Sequence, residues 1–383
     1  MNSSRDLLRA LVAFDTTSRE SNLLLIEFVR DYLAGFDVPC QLIYNPQRSK
    51  ANLFASIGPT DLPGIVLSGH TDVVPVDGQP WTLPPFELTE RDGKLFGRGT
   101  ADMKGYIACV LALVPSLVKA SLRLPVHIAL SYDEEVGCLG VRSLLAELER
   151  RPVKPMLCII GEPTELKPVL GHKGKLAMRC DIHGEACHSA YAPLGVNAIE
   201  HAAQLINELG RLGQRLKAPE HHDVRFDPPF STVQTGVISG GKALNIVPAD
   251  CRFDFEIRAL PSQDPREVAQ ALQAYAEQQV LPRMRAVSEQ SEIRFSELSA
   301  YPGLVTDAHS EAAELIAEFC GSEDFGTVAF GTEGGLFDAA GIPTVVCGPG
   351  SMDQGHKPDE FVSLQQLKGC DEMLQRMLSS ICN

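Results

Sequence analysis

Short apolar runs alternate with longer amphipathic segments along most of the chain. Runs that are hydrophobic at almost every position predict buried strands, and they are "GIVLSG", "PVHIALSY", "PMLCIIG" and "GIPTVVCG". Segments such as "GYIACVLALVPSLVKA" repeat with the roughly 3.6-residue period of a helix. Two more helices are predicted at the start, one after Ser3 and Ser4 and one from Ser21 and Asn22 to Gly35. Uniformly apolar strands separated by helices predict an α/β fold with a mostly parallel sheet.

The pattern changes from about Lys175, where strand, helix, strand, strand, helix and strand follow one another. The segments are "KLAMRCDIHGE", "NAIEHAAQLINELGRL", "STVQTGVISGG", "ADCRFDFEIRAL", "PREVAQALQAYAEQQVLPRM" and "SEIRFSEL". This order is that of a ferredoxin-like α/β sandwich. A chain of 383 residues also exceeds the roughly 250–300 residues that one core usually supports. We therefore expect a larger domain formed by residues 1–175 and 301–383, with a smaller domain inserted at 176–300.

Composition and charge exclude some classes of protein. The chain is 44% hydrophobic and 22% charged, which is ordinary for a globular protein. A formal net charge of -15 argues against a nucleic-acid partner, because phosphates are neutralised by basic surfaces. No signal-peptide pattern and no window of about 20 apolar residues is visible, so we expect a cytoplasmic protein without a membrane segment. The 11 scattered cysteines suit reduced thiols better than a disulfide framework.

Residues capable of binding metal or transferring protons follow each predicted buried strand. They are His70 and Asp72, then Asp133, Glu134 and Glu135, then Glu162, and finally His356. Asp102 adds a further carboxylate in the glycine-rich turn "GRGTADMKG", which opens a helix. A lone histidine or a glutamate pair is usually structural or solvated, but here the pattern repeats at four strand ends. Because ligands bind beyond the carboxyl ends of parallel strands, we expect these residues to converge on one crevice.

The charge of this crevice indicates how many cations it would hold. Five residues are the candidate ligands: Asp102, Glu135, Glu162 and the neutral His70 and His356. Three carboxylates carry about three negative charges, which two divalent ions and a shared hydroxide balance better than one ion does. Nitrogen and oxygen donors suit Zn²⁺, with Co²⁺ or Mn²⁺ as substitutes. Two such ions about 3.5–4 Å apart need a bridging carboxylate, and Asp102 is the candidate.

Two acidic residues remain without a metal. Glu134 lies beside the candidate ligand Glu135 but points differently in an extended segment, so it is the candidate general base. It would take a proton from the hydrolytic water and pass it to a leaving amine. Asp72 lies two residues from His70 and is expected to accept the second imidazole N–H, which would fix the tautomer that binds metal.

The motifs together resemble a known family. "SGHTDVVPV", "GRGTADMKG", "DEEVG", "IIGEPT" and "GPGSMDQGHKPDE" are similar to the dinuclear zinc amidohydrolases and exopeptidases, and they occur in the family's order over essentially the whole chain. The resemblance implies that Asp102 bridges the metals, with His70 and Glu162 on one ion and Glu135 and His356 on the other.

The same resemblance assigns the remaining catalytic positions and the inserted domain. It implies that Glu134 is the general base and that Asp72 orients the metal ligand His70. The inserted domain would act as a lid and mediate a homodimer. His188 in "GEACHSAYAPLGVNAI" would reach across the dimer to the scissile carbonyl oxygen of a substrate bound to the other subunit. Asn245 and Arg258 match substrate-contact positions, and Arg258 suits a bidentate grip on an α-carboxylate. The alternatives are a helix-capping histidine and a surface arginine.

One segment bears on the substrate. "AFGTEGGLFDAAGIPTVVCGPG" resembles the amino-acid deacetylases of the family, which carry Thr-Glu here, whereas the desuccinylases usually carry Thr-Ser-Asp. Glu333 near the site would suit a substrate with a side-chain ammonium group. We expect a small N-acyl amino acid as substrate, with a desuccinylase, a broader N-acyl-amino-acid amidohydrolase or a dipeptidase as alternatives. A non-catalytic binding protein would be expected to have lost a ligand or the base, and all are present.

Overall fold

The described residues, Ser3 to Cys382 of this computed structural model, divide into two compact units. The second unit comprises His172–Gly303 and Val328–Gly331, and the first unit comprises the other described residues. The helices are α1 (Ser4–Val12), α2 (Leu23–Ala34), α3 (Lys104–Lys119), α4 (Val141–Glu149), α5 (Ala198–Arg215), α6 (Pro265–Tyr275), α7 (Leu281–Arg285), α8 (Glu311–Cys320), α9 (Gly334–Ala339) and α10 (Leu364–Ser380).

The strands are β1 (Cys40–Tyr44), β2 (Ala51–Ile57), β3 (Ile65–His70), β4 (Thr89–Arg91), β5 (Lys94–Phe96), β6 (Val126–Ser131), β7 (Leu157–Pro163), β8 (Val169–His172), β9 (Gly174–His183), β10 (Thr232–Gly240), β11 (Asp250–Ala259), β12 (Glu292–Tyr301), β13 (Leu304–Val305), β14 (Gly326–Val328), β15 (Thr344–Gly348) and β16 (Phe361–Ser363).

The first unit is organised around a mixed sheet with the strand order β1-β2-β6-β3-β7-β15-β8-β13. Its centre is parallel, since β3 pairs with β6 and β7 and β7 pairs with β15 in that sense. Antiparallel pairs, β1 with β2 and β2 with β6, extend one side. Every residue of β3, β6 and β7 is buried, so both faces of the central sheet are covered. The predicted α/β class with a mostly parallel sheet is confirmed.

Helix α3 lies in the hydrophobic core of this unit. It packs against α1, α10, β3 and β7, and most of its residues are buried. Gly161 of β7 allows an unusually close approach, because a Cβ there would come within 1.9 Å of the Tyr106 ring of α3. The strand that carries Glu162 is thereby held against the helix that follows Asp102.

The second unit contains an antiparallel sheet with the order β10-β11-β9-β12. Buried and more exposed positions alternate along β9 and β11, and helices α5 and α6 pack on these strands. The strand-helix-strand-strand-helix-strand order is that of the predicted ferredoxin-like sandwich. The single long helix expected after Asp264 is divided, because a π-helical turn at Ala276–Val280 separates α6 from α7, whose second residue is Pro282.

None of the helices within residues 3–382 combines the length and the hydropathy that a bilayer span requires.

Candidate active site

The carboxyl ends of the parallel strands bring the predicted metal ligands together. β3 ends at His70, β7 contains Glu162, and α3 begins two residues after Asp102. Glu135 follows β6, and His356 lies in the loop between β15 and β16. All five residues belong to the first unit. Side chains that are distant in sequence therefore meet at one edge of the sheet, as expected for an open parallel sheet.

Two groups of metal-ligand atoms share Asp102. In the first group, Nε2 of His70 lies 3.0 Å from Oδ1 of Asp102 and 3.6 Å from Oε1 of Glu162. In the second group, Nε2 of His356 lies 3.1 Å from Oδ2 of Asp102 and 3.0 Å from Oε2 of Glu135. Within each group the ligand atoms lie within 4.8 Å of one another. Asp102 thus presents one carboxylate oxygen to each group, which is what a bridging ligand must do.

The turn before Asp102 explains why the motif is rich in glycine. Gly99 has a φ of +85°, and a Cβ at this position would lie 2.9 Å from Cγ1 of Val73. A larger residue would suffer both backbone strain and a close contact. The glycine therefore permits the chain to deliver Asp102 beside His70.

The donor set fits two divalent cations. Oε1 of Glu135 is buried without a hydrogen-bond partner among the described residues. A buried carboxylate oxygen without a partner is costly, so this atom calls for a cation or a bound water. The other donors are imidazole nitrogens and carboxylate oxygens, which suit borderline divalent metals.

The electrostatics of the groups indicate an excess of negative charge. Burial and the Asp102 charge raise the pKa of Glu135 to about 7, and the same two effects raise the pKa of Glu162 well above its usual range. Hydrogen bonds to Asp102 and Glu135 raise the pKa of His356 to about 10. Burial lowers the pKa of His70, but hydrogen bonds to two aspartates outweigh it and hold this pKa well above its ordinary value. Bound cations would neutralise this excess.

Asp72 contacts His70 mainly through its main chain. Nδ1 of His70 lies 2.9 Å from the carbonyl oxygen of Asp72 and 3.6 Å from its carboxylate Oδ1. A carbonyl oxygen can only accept, so Nδ1 donates. In the neutral ring that would bind a cation, the lone pair is therefore on Nε2, which faces the ligand group. The sequence interpretation assigned this contact to the carboxylate, but the carbonyl oxygen makes the shorter contact.

The Asp72 carboxylate instead organises the turn after β6. It accepts hydrogen bonds from the Ser18 hydroxyl at 2.7 Å and from the main-chain N–H groups of Glu134 at 3.1 Å and Glu135 at 3.3 Å. These contacts hold in place the backbone of both the candidate base and a candidate ligand. Asp133 in the same turn forms an ion pair with Lys50.

Glu134 lies outside both ligand groups found among the described residues. Its Oε1 accepts a hydrogen bond from the Cys138 thiol at 3.3 Å. Burial raises the pKa of Glu134 to about 8, and the charge of Glu135 contributes in the same direction. A carboxyl group that titrates near neutral pH suits both acceptance and return of a proton.

A buried ion pair that sequence analysis missed fixes the main chain at Asp102. Nη1 of Arg98 lies 2.7 Å from Oε2 of Glu360, and the two side chains are 1% and 0% exposed. Oε1 of Glu360 accepts the N–H groups of Ala101 at 2.9 Å and Asp102 at 3.1 Å. Glu360 therefore ties the bridging-ligand turn to the segment that follows His356.

Gln79 extends this network to the other ligand loop. Nη2 of Arg98 donates to Oε1 of Gln79 at 2.6 Å, and Nε2 of Gln79 donates to the carbonyl oxygen of His356 at 2.9 Å. Arg98 and Glu360 belong to two of the motifs that carry the family resemblance, "GRGTADMKG" and "GPGSMDQGHKPDE". Their place in these motifs was the sequence signal that could have identified them. The sequence placed both motifs at one crevice through Asp102 and His356, but nothing in the local pattern indicated that Arg98 pairs with Glu360.

Glu333 is an interior residue. It is 1% exposed at the start of α9, and its Oε1 has no hydrogen-bond partner within the described residues. Burial raises its pKa to about 7, although the hydroxyl of Ser131 opposes the shift. The candidate ligands His70, Asp102 and Glu162 are buried to a similar degree, so the contact between Glu333 and a substrate ammonium group stays a prediction.

His188 and Asn245 are neighbours in the second unit. The exposed His188 side chain caps the short 3₁₀ helix Ser189–Leu194, since its Nδ1 accepts the N–H of Ala190 at 3.1 Å. The N–H of Ser189 donates to the carbonyl oxygen of Asn245 at 3.0 Å. The capping alternative for His188 is thus the arrangement observed here, and it leaves the ring exposed.

Arg258 lies on β11 of the same unit and already has polar partners. Its Nη1 donates to the Tyr301 hydroxyl at 2.9 Å, and Nε and Nη2 each lie 3.3 Å from a carboxylate oxygen of Glu256. A substrate carboxylate would therefore share this guanidinium with Glu256.

Ligand groups joined by one carboxylate at the end of a parallel sheet, with a proton-accepting glutamate beside them, are typical of metal-dependent hydrolases. Within that class, the chain belongs to peptidase family M20/M25/M40, because the family model matches residues 66–380. Both statements agree with the resemblance of the motifs.

Individual relatives cover nearly the whole chain. This chain is 35% identical to an acetylornithine deacetylase of Pasteurella multocida (strain Pm70), with 97% of this chain and 96% of the relative covered. It is 36% identical to an acetylornithine deacetylase of Myxococcus xanthus, with 99% and 97% covered. Among solved structures, the M20 family metallo-carboxypeptidase Sso-CP2 of Sulfolobus solfataricus is similar in fold, with a TM-score of 0.78, 18% identity and 99% of both chains covered.

A second solved structure is the Bacillus subtilis YXEP protein, described as a dinuclear metal binding peptidase from the M20 family. It aligns with a TM-score of 0.63 and 16% identity, with 99% of this chain and 97% of that chain covered. The family, the hydrolase class and the fold predicted from the sequence are thereby confirmed.

Proposed function

We propose that the protein hydrolyses N2-acetyl-L-ornithine to L-ornithine and acetate, a step of arginine biosynthesis. The observation that carries the chemistry is the pair of ligand groups sharing Asp102 with Glu134 close by. The substrate is supported by the two acetylornithine deacetylases that match nearly the full chain at 35% and 36% identity. The pair Thr332 and Glu333 before α9 also supports a deacetylase over a desuccinylase.

Two divalent ions, Zn²⁺ in our proposal with Co²⁺ or Mn²⁺ as substitutes, would be held by the five ligand-type residues. Asp102 would bridge, with His70 and Glu162 on one side and Glu135 and His356 on the other. When bound, such ions polarise an amide carbonyl and make a water molecule a better nucleophile at neutral pH.

Glu134 would carry the proton. Its carboxylate would accept a proton from the attacking water and return it to the amide nitrogen as the C–N bond breaks. Burial raises the pKa of Glu134 above the usual range of a carboxyl group, which favours its holding the proton until the amide nitrogen accepts it. Asp72 would keep Glu134 in place through the main-chain hydrogen bond, and its carbonyl oxygen would keep the Nε2 lone pair of His70 available.

The inserted unit would supply the remaining substrate contacts. We propose that His188 donates a hydrogen bond to the carbonyl oxygen across a homodimer and that Asn245 and Arg258 bind the substrate. The exposed ring of His188 and the partly exposed guanidinium of Arg258 support this proposal. His188→Ala should lower kcat by a larger factor than it raises KM, because an oxyanion contact strengthens in the transition state.

A homodimer through the inserted unit is supported by its edge strand. β10 lies at the edge of the sheet, and Val237 and Ile238 on it are 57% and 52% exposed. Exposed apolar edge strands tend to pair with another chain. Ile238→Lys should convert a dimer into monomers in sedimentation velocity, with the far-UV spectrum as the folding control. A fully active monomer would exclude the cross-subunit action of His188.

A cytoplasmic location also remains part of the proposal. All the cysteines described are free thiols, which suits a reducing compartment. Cell fractionation followed by detection of the protein tests this directly.

The decisive experiment is a substrate comparison. Purified protein is freed of metal with a chelator, reloaded with Zn²⁺, and assayed for amine release from N2-acetylornithine, N-succinyl-diaminopimelate, N-acetylmethionine and a dipeptide. We expect the highest kcat/KM with N2-acetylornithine and loss of activity without metal. Preferred turnover of another compound would retain the metal chemistry and overturn the substrate.

A further inference from the structure

Three sulfur atoms meet in the first unit, and none of them belongs to either ligand group. Cys320 is the last residue of α8, Cys347 lies in β15, and Met373 lies in α10. The thiol sulfurs are 3.4 Å apart, and each lies close to the Met373 thioether, at 3.7 Å for Cys320 and 3.6 Å for Cys347. The two thiols are therefore already in contact, and only a short movement separates them from a covalent S–S bond.

The two thiols differ in environment. Cys320 is partly exposed, whereas Cys347 is 0% exposed. The hydrogen bond from Cys347 lowers the pKa of Cys320, and the nearby Arg376 acts in the same direction against burial. Nε of Arg376 is held at this helix end by the carbonyl oxygen of Phe319, at 2.5 Å. An accessible, charge-stabilised thiol beside a buried second thiol is the arrangement of redox-sensitive cysteines.

We propose that Cys320 and Cys347 form a hydroperoxide-sensitive redox pair, with Cys320 as the attacking thiol and Cys347 as the resolving thiol. The Cys320 thiolate attacks a peroxide oxygen, the O–O bond breaks, and the leaving oxygen takes a proton as water or an alcohol. The resulting sulfenic acid reacts with Cys347, so the S–S bond forms, the S–O bond breaks, and water leaves with the proton of Cys347. The thiols lose two electrons in total, and the peroxide gains them.

Oxidation of this pair would affect the first unit, which contains both cysteines. A disulfide between Cys320 and Cys347 would connect the end of α8 to β15, the strand that pairs with β7. Cross-linking residues far apart in sequence restricts the unfolded chain, so the oxidised protein should unfold at a higher urea concentration than the reduced protein.

Other cysteines provide internal controls. Cys40, Cys187 and Cys382 are also partly exposed, and burial raises the pKa of Cys40. Cys109 and Cys370 interact with each other but are both buried. Exposure alone would oxidise Cys40, Cys187 and Cys382, whereas proximity alone would oxidise Cys109 with Cys370.

The test treats the reduced, full-length protein with a small excess of hydrogen peroxide, blocks remaining thiols with N-ethylmaleimide, and maps the peptides by mass spectrometry. We expect a cross-linked peptide pair joining Cys320 and Cys347, reversed by dithiothreitol. In Cys347→Ser, dimedone should trap a sulfenic acid at Cys320. In Cys320→Ser, Cys347 should remain available to maleimide after unfolding.

Two results would overturn the inference. One is a protein in which Cys320 and Cys347 stay reduced while Cys40, Cys187 or Cys382 is oxidised. The other is dimedone labelling of Cys347→Ser elsewhere than at Cys320. Far-UV spectra of both serine variants show whether each is folded. If a variant is unfolded, the peptide map of the wild-type protein still tests whether Cys320 and Cys347 become cross-linked.

Discussion

The carboxylate of Asp72 accepts the main-chain N–H of Glu134 at 3.1 Å, and its second oxygen lies 3.3 Å from the N–H of Glu135. One buried side chain thus holds the backbone of the candidate base and of a candidate metal ligand. The same residue's carbonyl oxygen accepts from His70. Asp72 therefore links three candidate active-site residues through two different chemical groups.

Replacing Asp72 with asparagine should impair catalysis. The amide NH₂ group would face donors where the carboxylate now accepts, so Glu134 and Glu135 would lose part of their support. We expect kcat to fall about 10–100-fold, the usual effect of removing a group that orients metal ligands. Steady-state kinetics with Zn²⁺ in excess measures this. Asp77→Asn, at an exposed position of the same loop, is the control and should leave kcat unchanged.

Glu134→Gln should reduce kcat about 10²–10⁴-fold, since the amide cannot carry the proton. Metal content should stay at the wild-type level, because Glu134 belongs to neither ligand group. Kinetics combined with elemental analysis of the dialysed protein separates the two effects, and Glu149→Gln, at an exposed position of helix α4, is the control. Substantial activity in a metal-replete Glu134→Gln protein would remove Glu134 as the base.

Glu360→Gln should weaken metal binding without touching a ligand. The variant leaves the buried Arg98 guanidinium without its counter-ion, which typically costs about 3–5 kcal/mol. The turn carrying Asp102 should loosen, and Zn²⁺ affinity should fall about 10–100-fold in a competition with a chelator. Glu292→Gln breaks only an exposed pair with Arg294 and should have wild-type affinity. Equal Zn²⁺ affinities in both variants would contradict the role of Glu360 in holding the turn that carries Asp102.

Glu333→Gln distinguishes an interior effect from a substrate contact. Because Glu333 is buried and its charge acts on Glu134, we expect a similar change in kcat/KM for N2-acetylornithine and N-acetylmethionine. A loss confined to the substrate with an ammonium group would instead support direct contact. The measurement is kcat and KM for both substrates with the same enzyme preparation.

His127 should make the protein less stable in mild acid. Burial, aided by the charge of Arg151, lowers its folded-state pKa to about 4 from 6.5. Above pH 6.5 the ring is neutral in both states and contributes no pH dependence. As pH falls from 6.5 to 4, the unfolded chain binds a proton that the folded protein does not, so the free energy of unfolding falls by up to about 3 kcal/mol.

His127→Gln should therefore flatten the pH dependence of stability between pH 6.5 and 4. Glutamine can still pair with the Ser56 hydroxyl that His127 contacts at 2.8 Å. Urea unfolding at pH 7 and pH 4.5 measures the difference. His309→Gln, in an exposed loop, should retain the wild-type slope.

Local pattern was sufficient for much of the fold. Uniformly apolar runs became the buried parallel strands, and the alternating segment from Lys175 became β9. These predictions succeed because periodicity reports how many faces of an element are buried. The short strands β8, β13, β14 and β16 were not predicted, because their partners are distant in sequence. The pairs β1–β2 and β4–β5 were not predicted either, although each forms between consecutive strands.

By itself, the sequence determined the family, the α/β class and the residues at the strand ends, since each of these is encoded in a contiguous motif. Only the tertiary structure decided that Asp72 uses its carbonyl oxygen toward His70 and that Glu333 is interior. The Arg98–Glu360 pair spans 262 positions. Such contacts depend on how separate loops dock on the sheet, and no local pattern of hydrophobic and polar residues specifies that docking.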